Sequence, residues 1–156
     1  EFAVNIGLVR HGEPVLGVVG IPAAGELFGG IVGRGAWKRT DDGEGPVAAR
    51  VPPPEGLTVL ASRHHGDSTQ LKEFLGERRV ARMVNYGSSV KFCRLAEGLA
   101  DLYPRFGRTM EWDTCAPQVV LEAAGGSVRT MQGARLRYGK PGWENPHFVC
   151  AGREVG

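Results

Sequence analysis

The sequence predicts a layered α/β protein, with antiparallel strands at its start and a mixture of strands and helices after them. Apolar and small residues alternate along the first 40 residues, with glycine-containing turns between the runs, and this two-residue period is typical of strands. After residue 57, apolar runs alternate with segments of helical spacing, which favours a layered arrangement. The length of 156 residues suits one domain with a real core, because such a chain buries roughly 70% of its unfolded surface.

Composition excludes several classes of protein. A net charge of +2 with 42% hydrophobic residues is typical of a globular chain rather than a disordered one. Cys93, Cys115 and Cys150 form no CxxC motif and cannot all pair, so we expect reduced thiols and a cytoplasmic protein. No apolar run approaches the roughly 20 residues of a membrane helix, and the scattered basic residues disfavour a nucleic-acid partner.

Residues 1–40 are predicted to form adjacent antiparallel strands. In the first of them Phe2, Val4, Ile6 and Leu8 alternate with other residues, which is the period of a strand with one buried face. The further strands are predicted at residues 15–21, 26–32 and 36–38. Because the pattern is already present at Phe2 and no initiator Met precedes it, we expect the chain to be a shortened form of a longer protein.

Residues 41–56 are charged and rich in glycine and proline, which predicts a surface loop and a subdomain boundary. Residues 57–156 then form the second, α/β subdomain. Its predicted strands cover residues 57–61 and 80–86, with an extended segment at 99–106. One predicted helix follows Asp67, a second follows Ser89 and ends at Glu97, and a third covers residues 114–124 ahead of two glycines.

The first candidate site is the segment GSSVK, residues 87–91, where a predicted strand enters a glycine turn and then a helix. Lys91 falls in the first helical turn, where the helix dipole disfavours a cation. A bound phosphate would reverse that effect, because backbone N–H groups and the ammonium would converge on it. The alternative is a solvated lysine that tolerates a small penalty.

The second candidate site is EWDTCAP, residues 111–117. Asp113 is predicted to lie just before a helix, with Pro117 in the first turn, where its missing N–H costs little. One interpretation is that Asp113 caps the helix, and the other is that its carboxylate binds a hard cation such as Mg²⁺.

The third candidate site is SRHH, residues 62–65, at the end of a predicted strand. Loops that follow strand ends are where ligands bind in α/β proteins, and a neutral histidine can hydrogen-bond a phosphate or a base. The alternative is a pair of surface histidines without a function.

Taken together, these segments resemble the 3′(2′),5′-bisphosphate nucleotidase family of the inositol monophosphatase superfamily. The resemblance rests on SRHH (62–65), GSSVKFC (87–93), AEG (96–98), ADLYPRFG (100–107), EWDTCAP (111–117) and VLEAAGG (120–126). The Trp-Asp pair followed by Gly-Gly is typical of the whole superfamily, and the WDTCAP form is more typical of the nucleotidase branch. The YPRFG stretch resembles the bacterial enzymes of sulfate assimilation, and the similarity extends from residue 1 to about residue 150.

The resemblance implies an α-β-α-β-α sugar-phosphatase fold and a Mg²⁺-dependent phosphomonoesterase. Its substrate would be 3′-phosphoadenosine 5′-phosphate, which metal-assisted attack by water would convert to AMP and phosphate. Carried over to this chain, Asp113 would bind Mg²⁺ and contact the substrate, with Lys91 on a phosphate. The other implied nucleotide contacts are Ser62, His65 and Gly87, and Arg105 is a weaker phosphate candidate.

The chain departs from the family in one respect. The other metal ligands of the family come from an upstream Glu and a DPLDGT motif, which in family members lies just before the segment matching Glu1 and Phe2, and this motif is absent here. We therefore expect this chain alone to be inactive, and to expose the face that packs on the missing N-terminal portion of the same enzyme. The alternatives are an inositol monophosphatase or sugar-bisphosphate phosphatase, and a non-catalytic nucleotide-binding remnant.

Overall fold

The computed structural model describes residues 2–62, 68–87 and 89–154. Its first half is an antiparallel sheet, sheet A, in which each strand pairs with the next along the chain. The strands of sheet A are β1 (Val4–Arg10), β2 (Glu13–Ile21), β3 (Glu26–Ile31), β4 (Gly35–Thr40) and β5 (Gly43–Val47). The predicted antiparallel start of the chain is therefore confirmed.

The second half contains a mixed sheet, sheet B, in the order β7-β6-β8-β10-β9. Its strands are β6 (Leu57–Ser62), β7 (Val80–Tyr86), β8 (Leu102–Arg105), β9 (Ser127–Thr130) and β10 (Phe148–Ala151). The helices are α1 (Ser68–Leu75), α2 (Val90–Ala96) and α3 (Glu111–Ala123). Strand β6 runs parallel to β7 and β8, whereas β10 is antiparallel to β8 and β9.

Helices α2 and α3 lie between the two sheets. Helix α3 packs on β1, β2 and β3 on one side and on β9 on the other, and α2 packs on α3, β8 and β10. The buried core joins side chains from both helices and both sheets, including Phe28, Leu60, Leu95, Val120 and Phe148. The predicted layered α/β fold is confirmed. No helix in the described ranges is both long and apolar enough to cross a membrane.

Glycines let α3 approach sheet A closely. A Cβ atom added at Gly17 would lie 2.5 Å from the carbonyl oxygen of Ala116, and one at Gly7 would lie 2.6 Å from the Cys115 sulfur. Both distances are shorter than van der Waals contact, so a side chain at either position would push the helix away. The glycine content of the strands is therefore partly explained by helix–sheet packing, and not by turns alone.

The opposite face of sheet A carries apolar side chains that are exposed. Val4, Ile6 and Leu8 of β1 are 54–65% exposed, and Phe2 is 63% exposed. Leu16 on β2 is paired with Leu8, Ile31 on β3 is paired with Leu16, and both extend the patch. The predicted strand is confirmed. The prediction that its apolar face is buried is wrong, because α3 packs on the opposite face of the strand, which carries Gly7. We call Phe2, Val4, Ile6, Leu8, Leu16 and Ile31 the open face.

Two predicted boundaries are corrected. Residues 43–47 lie in the predicted loop yet form the edge strand β5, because Gly43, at φ +135°, allows a tight hairpin after β4. Pro46 is tolerated there, since an edge strand does not need every N–H group. Helix α3 begins at Glu111, three residues before the predicted start, so Pro117 is the seventh helical residue and not part of the first turn.

Helix α2 is attached to sheet A by a nearly buried ion-pair network. The Glu26 carboxylate on β3 binds Arg94 of α2 at 2.7 Å and Lys38 of β4 at 2.7 Å. Glu97, just after α2, binds Arg94 at 2.6 Å and Lys38 at 2.9 Å. Two cations and two anions therefore balance each other between the helix and the sheet.

Candidate phosphate-binding edge

The carboxyl ends of three parallel strands form one edge of sheet B. Ser62, the last residue of β6, is paired with Tyr86, the last residue of β7. Arg105 ends β8, which is parallel to β6. Because parallel strands end on the same side of a sheet, Ser62, Gly87 and Arg105 lie along this edge. The structure therefore brings together three residues that the sequence predicts for the site.

Lys91 is the second residue of α2, and its side chain turns inward. Its ammonium donates a 2.9 Å hydrogen bond to the carbonyl oxygen of Tyr86 and lies 5.0 Å from the centre of the Tyr103 ring. The residue is 2% exposed. A lysine was expected to be either solvated or on a phosphate. Solvation is excluded, and its predicted contact with a phosphate stays a prediction.

The start of α2 is also attached to the first strand of the chain. The hydroxyl of Ser89 donates a 3.1 Å hydrogen bond to the side-chain oxygen of Asn5 on β1. Ser89 is buried, and α2 begins at the next residue. The Asn5 contact therefore fixes Ser89, the residue before α2, against sheet A, and no motif in the sequence indicated it.

The guanidinium of Arg105 donates hydrogen bonds to the loop that follows its own strand. Its Nε atom donates to the carbonyl of Gly107 at 3.4 Å, and Nη2 donates to the carbonyl of Arg108 at 3.2 Å. The loop that Arg105 holds leads directly into α3. The side chain thus shapes the connection between the strand edge and Asp113, and its predicted contact with a phosphate is not tested by these bonds.

Asp113 is the third residue of α3 and forms half of a capping box. Its Oδ2 atom accepts a 2.8 Å hydrogen bond from the backbone N–H of Met110, and its own N–H donates to the Met110 carbonyl at 2.9 Å. The prediction that Asp113 precedes the helix is corrected, because extended Met110 occupies the N-cap position. The side chain is exposed, and Oδ1 accepts no hydrogen bond from the described residues.

The neighbouring carboxylate, Glu111, is buried and anchors another loop. It accepts hydrogen bonds from the backbone N–H groups of Gly139 and Lys140 at 2.9 and 3.0 Å, and from the Lys140 ammonium at 2.6 Å. Burial alone would raise the pKa of Glu111, but these bonds outweigh it and lower the pKa below the ordinary value of 4.5. Glu111 is therefore a structural anion, and sequence analysis did not assign it this role.

A buried polar network lies beneath the first turn of α3. Thr114 is within 3.0 Å of the Tyr138 hydroxyl, which donates to Gln118 at 2.5 Å. The amide of Asn145 donates to Thr114 at 3.0 Å. These bonds attach α3 to the segment that runs from residue 131 to 147. Asn145 was not identified from the sequence, although the Asn-Pro pair at 145–146 is a common turn signal.

The described residues offer one candidate ligand for Mg²⁺, the carboxylate of Asp113. Asp113 has the chemistry of one Mg²⁺ ligand, since it is an exposed carboxylate with one oxygen free of hydrogen bonds within the described ranges. Within those ranges, however, no three His, Cys, Asp or Glu side chains are grouped so that they could hold a metal ion. Asp113 therefore fits the role of a single ligand, and this part of the chain does not assemble a complete site. The predicted substrate contact His65, together with Ser88 and the predicted helix cap Asp67, lies outside the described residues.

Comparison with known proteins places these features in a family. The chain matches the Inositol monophosphatase family over residues 1–153. It is 42% identical over 149 residues to the 3′(2′),5′-bisphosphate nucleotidase CysQ of Escherichia coli K12, a match that covers 95% of this chain and 59% of that protein. It is 30% identical over 151 residues to CysQ of Aggregatibacter actinomycetemcomitans, across 96% of this chain and 56% of that protein.

Solved structures agree with this result. The crystal structure of CysQ from Bacteroides thetaiotaomicron, a bacterial member of the inositol monophosphatase family, aligns with a TM-score of 0.87 and 32% identity over 98% of this chain and 63% of that one. An inositol monophosphatase from Zymomonas mobilis shares the fold, with a TM-score of 0.78, 21% identity, and coverage of 97% of this chain and 58% of that one. The chain thus spans about three fifths of the length of the proteins it matches. It belongs to the inositol monophosphatase family.

Proposed function

We propose that the complete enzyme to which this chain belongs is a 3′(2′),5′-bisphosphate nucleotidase that hydrolyses 3′-phosphoadenosine 5′-phosphate to AMP and phosphate. The observation that carries the proposal is the 42% identity to E. coli CysQ over 95% of the chain. The strand edge formed by Ser62, Gly87 and Arg105 supports it, because ligands of α/β proteins bind at such edges. Sulfate assimilation in the cytoplasm is the process we propose, and the three free, buried cysteines are consistent with a reducing compartment.

The proposed roles of the edge residues are binding and orientation. Ser62, His65 and Gly87 would contact the nucleotide. Lys91 would act on a phosphate, supported by the position of its ammonium on the carbonyl of Tyr86, one residue before Gly87. Arg105 would support the same phosphate either directly or by holding the 107–108 carbonyls that it binds.

We propose Mg²⁺ as the cofactor, with Asp113 as its ligand among the residues that the structure describes. Mg²⁺ commonly takes one or two protein carboxylates together with phosphate oxygens and water. Since the described residues do not group three ligands, the remaining carboxylates would come from the part of the enzyme outside this chain. The chain alone would then be inactive.

The open face is the surface on which we propose that the rest of the enzyme packs. Its six apolar side chains lie on one side of sheet A, with Ile6 at 65% exposure at its centre. Exposed apolar patches of this kind mark interfaces. The relatives are longer than this chain by about two fifths of their length, so their unmatched portion is of sufficient size to cover it.

Phosphate release from three substrates tests the proposed activity. The N-terminal portion of the E. coli relative would be placed ahead of this chain, and cooperative unfolding of the chimera would be verified first. With Mg²⁺, we expect kcat/KM to be at least tenfold higher for 3′-phosphoadenosine 5′-phosphate than for inositol monophosphate or fructose bisphosphate. A preference for either of the latter favours the alternative phosphatases. A folded chimera that releases no phosphate contradicts the proposal.

Calorimetry on the 156-residue chain distinguishes the non-catalytic alternative. If this chain binds the nucleotide tightly without Mg²⁺, and if the folded chimera still does not turn it over, the chain is a nucleotide-binding remnant. We expect weak binding by the chain alone, since the other proposed metal ligands lie elsewhere in the enzyme.

A further inference from the structure

We infer that Asn145 is a positioning residue that fixes the Asp113 carboxylate through Met110. The inference rests on the proposed function, because it gives the orientation of the Asp113 side chain a role in phosphate hydrolysis. It concerns the segment of residues 131–147, which no sequence motif assigns to a site.

Asn145 holds the two residues before α3 from both its backbone and its side chain. Its backbone N–H donates to the carbonyl of Thr109 at 2.9 Å. Its side-chain nitrogen lies 3.0 Å from the carbonyl of Met110 and 3.1 Å from the hydroxyl of Thr109. The adjacent Glu144 forms a bridge with Met110. The N-cap of α3 is therefore fixed from outside the helix.

Met110 passes this constraint to Asp113. Its carbonyl is held by Asn145 and also accepts the N–H of Asp113, while its own N–H donates to Asp113 Oδ2 at 2.8 Å. The Met110 N–H belongs to the Thr109–Met110 peptide, whose carbonyl accepts the Asn145 N–H, and the Asn145 side chain holds the next peptide at the Met110 carbonyl. Rotation of either peptide would disturb the bond that sets the Asp113 side chain. Oδ2 of the carboxylate is thereby fixed, and Oδ1 accepts no hydrogen bond from the described residues.

The orientation of the Asn145 amide follows from its partners. A carbonyl can only accept, so the Met110 oxygen requires the Asn145 nitrogen on that side. The Asn145 oxygen is then buried without a partner within the described part of the chain. An unsatisfied buried acceptor is unfavourable for folding. Because this cost is tolerated, we infer that the hydrogen bonds donated by the Asn145 nitrogen are what the position requires.

The test compares Asn145→Ala with Gln118→Met. Gln118 is a matched control, because it is also buried and binds the same 131–147 segment through Leu136, but it does not touch Met110. We expect both variants to lower Tm. Only Asn145→Ala should speed hydrogen exchange of the Met110 amide in this chain, by at least tenfold relative to the control.

Kinetics of the chimera give the second measurement. We expect Asn145→Ala to lower kcat at least tenfold with KM within twofold of the parent, and Gln118→Met to leave kcat within twofold. If Asn145→Ala does not fold, Asn145→Ser replaces it.

Two results overturn the inference while the proposed function stands, provided the parent chimera is active. They are Met110 exchange in Asn145→Ala that matches the control, and a kcat unchanged by that substitution. An inactive parent chimera contradicts the proposed function instead, and hydrogen exchange still decides whether Asn145 fixes Met110.

Discussion

The Ser89 hydroxyl and the Asn5 side chain form a 3.1 Å hydrogen bond across 84 residues of sequence. It joins the first strand of sheet A to the turn that precedes α2, at the proposed phosphate-binding edge. The apolar residues of β1 point away from this contact. One strand therefore supports the candidate site with its polar side and presents the open face with the other.

Replacing Asn5 with Ala tests this link. We expect the free energy of unfolding to fall by about 1 kcal/mol, the usual value for a hydrogen bond within a protein. Urea denaturation of this chain measures it. In the chimera, KM for the nucleotide should rise while kcat changes little, because the turn would lose its support. An unchanged KM would show that the turn does not depend on β1.

Close packing of α3 on sheet A predicts a large stability loss for substitution of one glycine of β2 and almost none for another. Gly17→Ala places a methyl group 2.5 Å from the Ala116 carbonyl, so we expect a loss of about 2–3 kcal/mol from overpacking. Gly20→Ala meets nothing closer than 3.7 Å and should change stability by less than about 0.5 kcal/mol. Urea midpoints of the two variants compare them directly. Equal losses would contradict the packing argument.

The ion-pair network around Glu26 predicts a pH dependence of stability. Hydrogen bonds from Arg94 lower the pKa of Glu26 below its ordinary value of 4.5, burial opposes this, and Lys38 adds to the lowering. Because the folded-state pKa lies below the unfolded value, the contribution is complete above pH 4.5 and is lost as pH falls through the folded pKa.

Glu26→Gln is the variant that tests this pH dependence. It should cost about 2 kcal/mol at pH 7, since charged hydrogen bonds are lost, and it should flatten the decline in stability below pH 4.5. The decline will not disappear, because the pKa of Glu111 is also lowered. Glu44→Gln, in the exposed pair with Arg39, serves as the control and should have no measurable effect. A decline as steep in Glu26→Gln as in the parent would assign the acid sensitivity to other groups.

The open face predicts self-association of this chain. The double substitution Ile6→Lys and Leu8→Lys should shift sedimentation towards the monomer, because it places charge on an exposed apolar patch. Leu99→Lys is the matched control, since Leu99 is 57% exposed but lies after α2 and outside the open face. In the chimera the double substitution should instead lower Tm. A chain that is monomeric at all concentrations before substitution contradicts this prediction.

The sequence predicted the strands and helices more completely than it predicted which of their faces are buried. Strand periodicity placed β1 to β4, and glycine signals placed the ends of α2 and α3. The period of β1 could not show which face is buried, because alternation is the same whichever side meets the core. The early start of α3 was missed because its N-cap is Met110, a residue type that rarely caps helices.

The candidate site was predicted in part for similar reasons. Motifs identified Ser62, Gly87 and Asp113, which lie where strands end or a helix begins. They did not indicate Asn5, Glu111 or Asn145, whose partners lie far away in sequence and are brought close only by folding. Burial of the Lys91 ammonium was missed because helical spacing alone does not show where a long side chain turns.

Substitution of Asp113 tests the central claim, that this chain supplies one ligand to a metal site completed elsewhere in the enzyme. Asp113→Asn keeps an oxygen that can accept the Met110 N–H, so the capping box remains and stability should change by less than about 1 kcal/mol. In the chimera with Mg²⁺, we expect phosphate release from 3′-phosphoadenosine 5′-phosphate to fall at least a hundredfold while Tm is retained. Near-normal turnover by a folded Asp113→Asn chimera would contradict the account and leave Asp113 with a capping role alone.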